Sequence, residues 1–472
     1  MNSTSPASSS SHPARVPARS GGAAVWRGSN GDVAKGSGER TSSSGADSAQ
    51  VIAKANPALV PHIVQRVDDS DPLRANKQAI EDIENGASGV AIVFQNAPNA
   101  FGFGLPATAD ALTKALAEVP LARTHLRLDL HPHSRASVDW LVHILSQRKI
   151  DPSRLDVSFG IDPAATFAGT GRLRMSIEAM LASMPQSLAQ FFALGVPGIL
   201  LEADGRVFHN AGATAEQELG IMLASAKTYL RMFEEARQPV LYAAAHIGFA
   251  LSVDQVHARS VAKFSALRSL WSRLLAGYSV PDMPAVIHAE TSYRMLTARD
   301  PDTNILRNAM ACFSAMRAGA DTISVIPHTQ PRGLPDAQAR RIARNTPVML
   351  QQEGNVYLPA GALATSSDIE TLAGSMAAAA WSEYERIEAE GGVLRSVLDG
   401  KIQQRISEAR ETAATRLRKG KPPIVGTTRY PTGEQPDATK PPAQIDTAPA
   451  EGTIFCEQLP ILRLDEMLDE AA

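Results

Sequence analysis

GVAIVF at Gly89–Phe94, HLRLDL at His125–Leu130 and LDVSFG at Leu155–Gly160 decide the fold. Each is a short, largely apolar run of strand length, and helix-length sequence separates most such runs. Further runs stand at Gly198–Leu201 (GILL), Val240–Ala244 (VLYAA), Ala285–His288 (AVIH), Thr322–Ile326 (TISVI) and Val348–Gln351 (VMLQ), which makes eight candidate strands. Thr214–Ala236 places Leu219, Leu223, Ala226, Leu230 and Phe233 at helical spacing, and Asn304–Met316 does so through Ile305, Ala309, Phe313 and Met316. Strands that alternate with helices predict right-handed βαβ units and a parallel sheet. Eight units over about 250 residues is the size of a TIM barrel, with any chemistry on the loops that follow the strands. An open doubly wound sheet alternates in the same way, and spacing alone does not separate the two. The expected class is α/β, a TIM (β/α)8 barrel over 51–418.

The flanks differ from this core. Residues 1–50 are dominated by Ser, Gly, Ala, Pro and Arg, cannot bury enough apolar surface to offset chain entropy, and are expected to be disordered. They hold no apolar h-region. Arg15, Arg19 and Arg27 among serines suggest a transit peptide only faintly. Residues 419–472 are expected to form a linker and C-terminal arm. The stretch Lys419–Gly452 is rich in Pro, Thr and Asp. Apolar residues return at Ile454, Phe455, Leu459, Ile461, Leu462, Leu464 and Leu468, and the arm is read as a strap to a neighbouring subunit, with folding back onto its own barrel as the alternative. The long helical stretch Ser367–Ala389 carries Ile369, Leu372, Met376, Ala380, Tyr384 and Ile387 on one face, to pack within its own chain or meet another.

Composition narrows the function. Apolar residues make up 44% and charged residues 20%, and the formal net charge is −3, which argues against a nucleic-acid binder. No apolar run reaches the length of a membrane span. The two cysteines, Cys312 and Cys456, form no C-x-x-C pair, so a cysteine zinc site or disulfide framework is not expected and a reducing interior fits. Cytoplasm is the expected location, with the mitochondrial matrix as alternative.

Several constellations lie where barrel chemistry would sit. Asp129-Leu130-His131-Pro132-His133-Ser134 approaches the D-x-H-x-x-G of cobalamin-binding domains but has Ser134 in place of Gly, so a strand-end loop with solvated histidines is the preferred reading. His131 and His133 alone make a weak metal site. Gly102-Phe103-Gly104 is too common a pattern to imply phosphate binding. His288, Glu290 and His328-Thr329 follow late strands and could serve acid–base work, hold a ligand or form a structural network.

Five segments carry a resemblance. Ala339–Glu353 (ARRIARNTPVMLQQE) is close to the R-I-A-R-N-T run of the methylmalonyl-CoA mutase family, there followed by an apolar strand. Ala211–Leu219 (AGATAEQEL) resembles the family's A-G-A helix start, Lys263–Trp271 (KFSALRSLW) its K-x-R-A-x-R-x-L-W helix, His288–Asn304 its H-x-x-T and D-P segment, and Ala380–Gly391 its later helix with a Gly-Gly end. The similarity runs in order over roughly residues 60 to 430. It implies a TIM barrel, acyl-CoA substrates and adenosylcobalamin in the parent enzyme.

The departures from that pattern shape the functional expectation. The family's Tyr-His pair before A-G-A falls on Arg206 and Val207. Its Arg-Gln-Tyr run, placed before the first strand, falls on Val64-Gln65-Arg66, its H-x-Q reads His288-Ala289-Glu290, and its Arg-x-Ser is missing from Ala244–Ser252. A chain ending at Ala472 is expected to lack the family's C-terminal cobalamin domain. Val207 cannot donate a hydrogen bond to a thioester oxygen, and Arg66 brings a charge where an aromatic ring belongs. The resemblance therefore implies a non-catalytic small subunit that binds no cofactor or metal itself and pairs with a large catalytic subunit carrying adenosylcobalamin, with neither nucleic acid nor membrane as partner. The alternative is a substrate-binding subunit of another acyl-CoA mutase that takes cobalamin from a small separate chain.

Overall fold

The computed structural model describes residues 60–130, 136–356, 366–431 and 453–469. Its centre is a parallel sheet built from β1 (His62–Val67), β2 (Gly89–Val93), β3 (His125–Asp129), β4 (Asp156–Phe159), β5 (Gly198–Ile199 and Leu201–Asp204), β6 (Ile247–Val253), β7 (Val286–Thr291) and β8 (Thr322–Ser324). Each strand pairs with the next in sequence, and β8 returns to β1 through His62↔Thr322. The first half of β5 pairs with β4 and the second half with β6. The sheet thus closes on itself through one strand, as in a TIM barrel, and an open doubly wound sheet is excluded.

The break inside β5 is a bulge. Leu200 N and Leu201 N both donate to His246 O, at 2.9 and 3.1 Å. The extra residue shifts the alternation, so that Glu202 and Asp204 pair in register with Gly248 and Ala250.

Two of the eight expected strands are helical, and two true strands were absent from the expectation. Val240–Ala244 is a short helix behind Pro239, and the strand lies just beyond it at Ile247–Val253. Val348–Gln351 is the last turn of the helix Ala337–Gln352, capped by Asp336. In that helix Arg340 and Arg344, one turn apart, both reach buried Asp82, at 2.5 and 3.1 Å. The R-I-A-R-N-T run therefore continues as helix, not strand. Val64-Gln65-Arg66 lies inside β1 rather than ahead of the first strand.

Helix Ala215–Glu235 begins on a capping box between Thr214 and Gln217 and buries the expected face. Helix Ser367–Ala389 packs Met376, Ala380, Tyr384 and Ile387 against this chain's own helices Ala215–Glu235 and His257–Gly277. Helix Pro301–Arg317 buries a face rotated from the one expected: Asn304, Arg307, Asn308, Ala311, Cys312 and Ala315 are inside with Met316, whereas Ile305, Ala309 and Phe313 are only partly buried.

The described end of the arm, residues 453–469, folds onto its own barrel, which is the alternative to the strap expectation and corrects it for this segment. Ile454–Phe455 pairs antiparallel with Arg172–Leu173. Cys456 N, Leu459 N, Leu462 N and Leu464 N then donate to Gly171 O, Ala168 O, Asn210 O and Arg294 O. Leu459, Asp465 and Met467 are buried, and Asp465 Oδ2 accepts from Ala298 N at 2.9 Å. These contacts cross loops that follow β4, β5 and β7, the face on which barrel sites are built. No helix among the described residues is long and apolar enough to cross a membrane.

Candidate functional site at the barrel mouth

Strand alternation sends every second side chain toward the barrel axis. On β1 this places Arg66 with His62 and Val64; on β3, Arg127 and Asp129 with His125; on β7, His288 and Glu290; and the β5 bulge delivers Glu202 and Asp204. Register puts Arg66 beside Ala91, Ala91 beside Arg127, and Arg127 beside Ser158. Short side chains next to long ones leave the axis to the arginines. At Gly160 a Cβ would lie 2.8 Å from Asp129 Oδ1 and 3.3 Å from Arg127 Nη2, so only glycine leaves room for that pair.

Three guanidiniums and five carboxylates fill the mouth, all essentially buried. Arg127 donates to Glu202 through Nη1 at 2.7 Å and to Asp129 through Nε at 3.1 Å. Arg206 holds Asp204 at 2.8 Å and Asp129 at 3.1 Å, and its Nη1 lies 3.4 Å from Glu290. Arg66 donates to Asp68 at 2.8 Å, to Glu290 at 3.4 Å and to the Asn99 carbonyl. Asn99 donates to Asp204 at 2.9 Å. Above Arg66 lies Phe101, its ring centre 4.8 Å from the guanidinium carbon and stacked on Tyr293 at 4.2 Å. Arg463 of the arm donates to the Tyr293 hydroxyl at 3.2 Å and completes the column.

The electrostatics follow from enclosure. Burial opposes ionisation of Asp129, yet Arg127 and Arg206 hold its carboxyl far below the usual range. Burial likewise works against charge on Arg206, and Asp129, Asp204 and Glu290 outweigh it. Burial raises Glu202 and Glu290, with the arginines offsetting part of it. His288 is pushed well below the ordinary imidazole value by burial, and Arg127 and Arg206 add to the effect. Asp162 caps the helix Pro163–Thr170, accepts from Asp204 N at 2.9 Å, and is pushed by burial up to about 7. Beside this network, lined by Pro98, Asn99, Asp129, Asp162, Asp204 and Arg206 among others, a cavity of about 10 Å³ remains. That is room for roughly one water.

Four of the residues singled out in sequence meet here: Arg66, Arg206 and Glu290 in direct contact, and His288 lower on the same inner face, donating to or accepting from Thr322 Oγ1 at 2.7 Å. Val207 points elsewhere and packs toward Gly169. His328 lies in the loop after β8, where its carbonyl accepts from Asn304, and takes no part in the ion network. Gly104 stands at φ 154°, where a Cβ would meet Gln95 N at 2.6 Å, so the glycine pattern serves close backbone packing. His131, His133 and Ser134 lie outside the described residues. Sequence reasoning did not single out Asp68, Arg127, Glu202 and Asp204. Their signal was present: R-x-D at 66/68 and 127/129 and E-x-D at 202/204 repeat charge with period two in or beside apolar strands.

A second buried cluster adjoins the mouth. His209 bonds Ser292 Oγ through Nε2 at 2.8 Å and faces Glu218 through Nδ1 at 3.2 Å, while Lys263 donates to Glu218 at 2.7 Å. Burial lowers His209 to about 4. Ser292 and Glu218 have no exposure, so the line of groups ties the loop after β7 to three helices and is almost wholly shut from solvent. Among the described residues no group of three or more His, Cys, Asp or Glu is arranged to hold a metal ion.

Comparison with known proteins adds the relatives. The family model described as methylmalonyl-CoA mutase matches residues 62–455. The methylmalonyl-CoA mutase small subunit of Streptomyces virginiae is 32% identical over 86% of this chain and 63% of its own length. A probable small subunit from Mycobacterium bovis is 35% identical over 69% of this chain and 53% of its own. The large subunit of Streptomyces virginiae is 28% identical over 63% of this chain and 39% of its own. The chain therefore spans between about half and two thirds of the length of the small subunits it matches.

Proposed function

The chain belongs to the methylmalonyl-CoA mutase family, and from that premise we propose that it is a small, non-catalytic subunit that pairs with a large, adenosylcobalamin-dependent mutase chain. The observation that carries the reading is the filled mouth. An acyl-CoA thioester needs a cleft of hundreds of Å³ with donors aimed at its oxygen. Here the axis is occupied by Arg66, Arg127 and Arg206 with their carboxylates, and about 10 Å³ is left beside them. The positions matching the family's Tyr-His pair hold Arg206, fully engaged with three carboxylates, and Val207, packed in the core.

The same crowding supports placing the cofactor on the partner. The Phe101–Tyr293–Arg463 column over the mouth and the ion network inside it weigh against adenosylcobalamin or an acyl group binding among these residues. The catalytic step, an acyl-CoA radical isomerisation, is assigned to the partner. The filled mouth also weighs against a substrate-binding subunit served by a separate cobalamin chain. Relatives named as small and large subunits support a heteromeric assembly.

The test assays methylmalonyl-CoA turnover and cobalamin binding for this chain, for the large chain from the same source, and for their mixture. The expected result is no turnover and no shift of the adenosylcobalamin spectrum with this chain alone, and a stable complex with the large chain. Turnover by this chain plus a small cobalamin protein would instead favour the alternative.

A further inference from the structure

The floor of the barrel, at the strand starts opposite the mouth, carries its own titratable group. His62 opens β1, His125 opens β3 and Asp156 opens β4, and alternation turns both imidazoles toward the barrel axis. The two rings stack with centroids 5.3 Å apart and planes 25° from parallel. One carboxylate serves both: Asp156 Oδ1 lies 3.0 Å from His125 Nδ1, and Oδ2 lies 3.5 Å from His62 Nε2. Their access to water differs. His125 is buried, whereas the side chains of His62 and Asp156 are 46% and 52% exposed.

The neighbouring groups are committed elsewhere. His288 of β7 bonds Thr322 Oγ1 at 2.7 Å, and burial keeps it neutral. The Asp321 carboxylate, just ahead of β8, accepts from Ile287 N at 2.7 Å. At this level β2 contributes only Gly89, where a Cβ would lie 3.0 Å from that of His125. Gln351, at the end of the helix Ala337–Gln352, donates to Pro61 O at 2.8 Å. His62 also stands on the seam that closes the barrel. β8 meets β1 through two residue pairs, His62↔Thr322 and Ile63↔Ile323, and His62 N donates to Asp321 O at 2.9 Å.

Protonation changes what this arrangement can hold. A first proton on the pair is balanced by Asp156. A second sets two imidazoliums face to face over a single carboxylate, and buried His125 has little water to screen it. We propose that the His62–His125 stack over Asp156 is an acid-sensitive latch on the barrel seam: when both rings are charged, His62 turns out to water and the start of β1 parts from β8. The latch is independent of the small-subunit reading and of the ion network in the mouth. Burial, and then His125, lower the proton affinity of His62 against the pull of Asp156. Its neutral form therefore favours the closed seam above about pH 6.5, and that contribution is lost as pH falls through the folded value.

The experiment measures hydrogen-exchange protection in the full chain at pH 7.5 and pH 5, corrected for the intrinsic exchange rate. The seam is read from the amides of His62, Ile63, Thr322 and Ile323, and global unfolding from the β6–β7 pairing. The expected result is a loss of seam protection on acidification of up to about tenfold per pH unit, the limit for one proton linked to opening, with the β6–β7 pairing losing less. His125→Gln should abolish the selective loss. NMR of carbon-13-labelled histidine should place the His62 midpoint higher in His125→Gln and lower in Asp156→Asn than in the wild type. Seam protection that does not change between the two pH values, or that falls only in step with the β6–β7 pairing, overturns the latch. So does a folded His125→Gln variant that keeps the selective loss or leaves the His62 midpoint in place. Should that variant fail to fold, the two wild-type regions decide the question between them.

Discussion

Replacing Arg206 by Met tests whether the barrel mouth is a closed, mutually compensated network. Three guanidiniums, Arg66, Arg127 and Arg206, stand among Asp68, Asp129, Glu202, Asp204 and Glu290. After the substitution Asp129 keeps Arg127 at 2.9 Å and Glu290 keeps Arg66 at 3.4 Å, while Asp204 loses its cation and keeps two neutral donors, the Asn99 amide and the backbone N–H of residue 206, each at 2.9 Å. Removing one partner of a buried ion pair costs about 3–5 kcal/mol, because the other charge stays buried. Urea unfolding followed by tryptophan fluorescence, with Trp271 buried as a core reporter, should read a loss of that size at pH 7.5. Arg206→Met combined with Asp204→Asn should recover part of it. The loss should also shrink on acidification. Arg127 and Arg206 hold Asp129 below its unfolded value, so its contribution is present above the unfolded carboxylate range and is lost as pH falls through the folded value. In the variant the carboxylates take up protons at milder acidity, which narrows the gap by pH 5. A loss under about 1 kcal/mol at pH 7.5, or one independent of pH, means that water already reaches these groups, and the closed-mouth argument fails.

Three other outcomes follow from the same structure. Val207→His should give no methylmalonyl-CoA turnover and should lower stability by about 1–3 kcal/mol in denaturation, since Val207 already crowds Gly169; turnover by this variant alone counts against a non-catalytic barrel. Leu459→Ala should cost about 2–5 kcal/mol in thermal or urea unfolding, because the arm packs on its own barrel; a neutral effect on stability with weakened binding to the large chain restores the strap. His288→Gln should change the acid response: burial depresses the folded pKa of His288, so its neutral form favours folding above about pH 6.5 and stability is lost as pH falls. The wild type should therefore melt lower relative to the variant at pH 5 than at pH 7.5, and an unchanged difference removes the assignment.

Six strands were legible because each pairs an apolar outer face with boundaries of turn-forming sequence. The two missed strands failed for different reasons. HIVQRV at His62–Val67 carries His62, Gln65 and Arg66, which reads as surface sequence, yet the polar inner face of this barrel accepts His62 and Arg66, and Gln65 on the outer face donates to the Arg340 carbonyl of the packed helix. IGFALSV at Ile247–Val253 stands directly behind VLYAA, and two adjacent apolar runs compete for one strand; Pro239 settles the first as a helical turn. VMLQ was misread because four apolar or neutral residues have no period of their own. The deciding signal was the preceding Arg340 and Arg344 at helical spacing, which matters only once Asp82 is in place to receive both.

The site was legible in part for a related reason. Resemblance pointed to Arg66, Arg206, His288 and Glu290 as altered positions, but not to their mutual contact, which depends on barrel closure and on the bulge at Leu200–Leu201. Closure explains why these residues act together. The inner wall is lined by small residues such as Ala91, Ser158, Gly160 and Ser324, so it does not fill the axis by itself. Only long side chains from separate strands reach across, and arginine brings a fork of donors that can engage two or three carboxylates at once. Arg127 alone would pair with Glu202 and Asp129 and leave Asp204 and Glu290 without a cation; Arg206 supplies both, and Arg66 shares Glu290. Arg66 and Arg206 thus complete the network that Arg127 begins, and without them the axis would hold carboxylates with no cation.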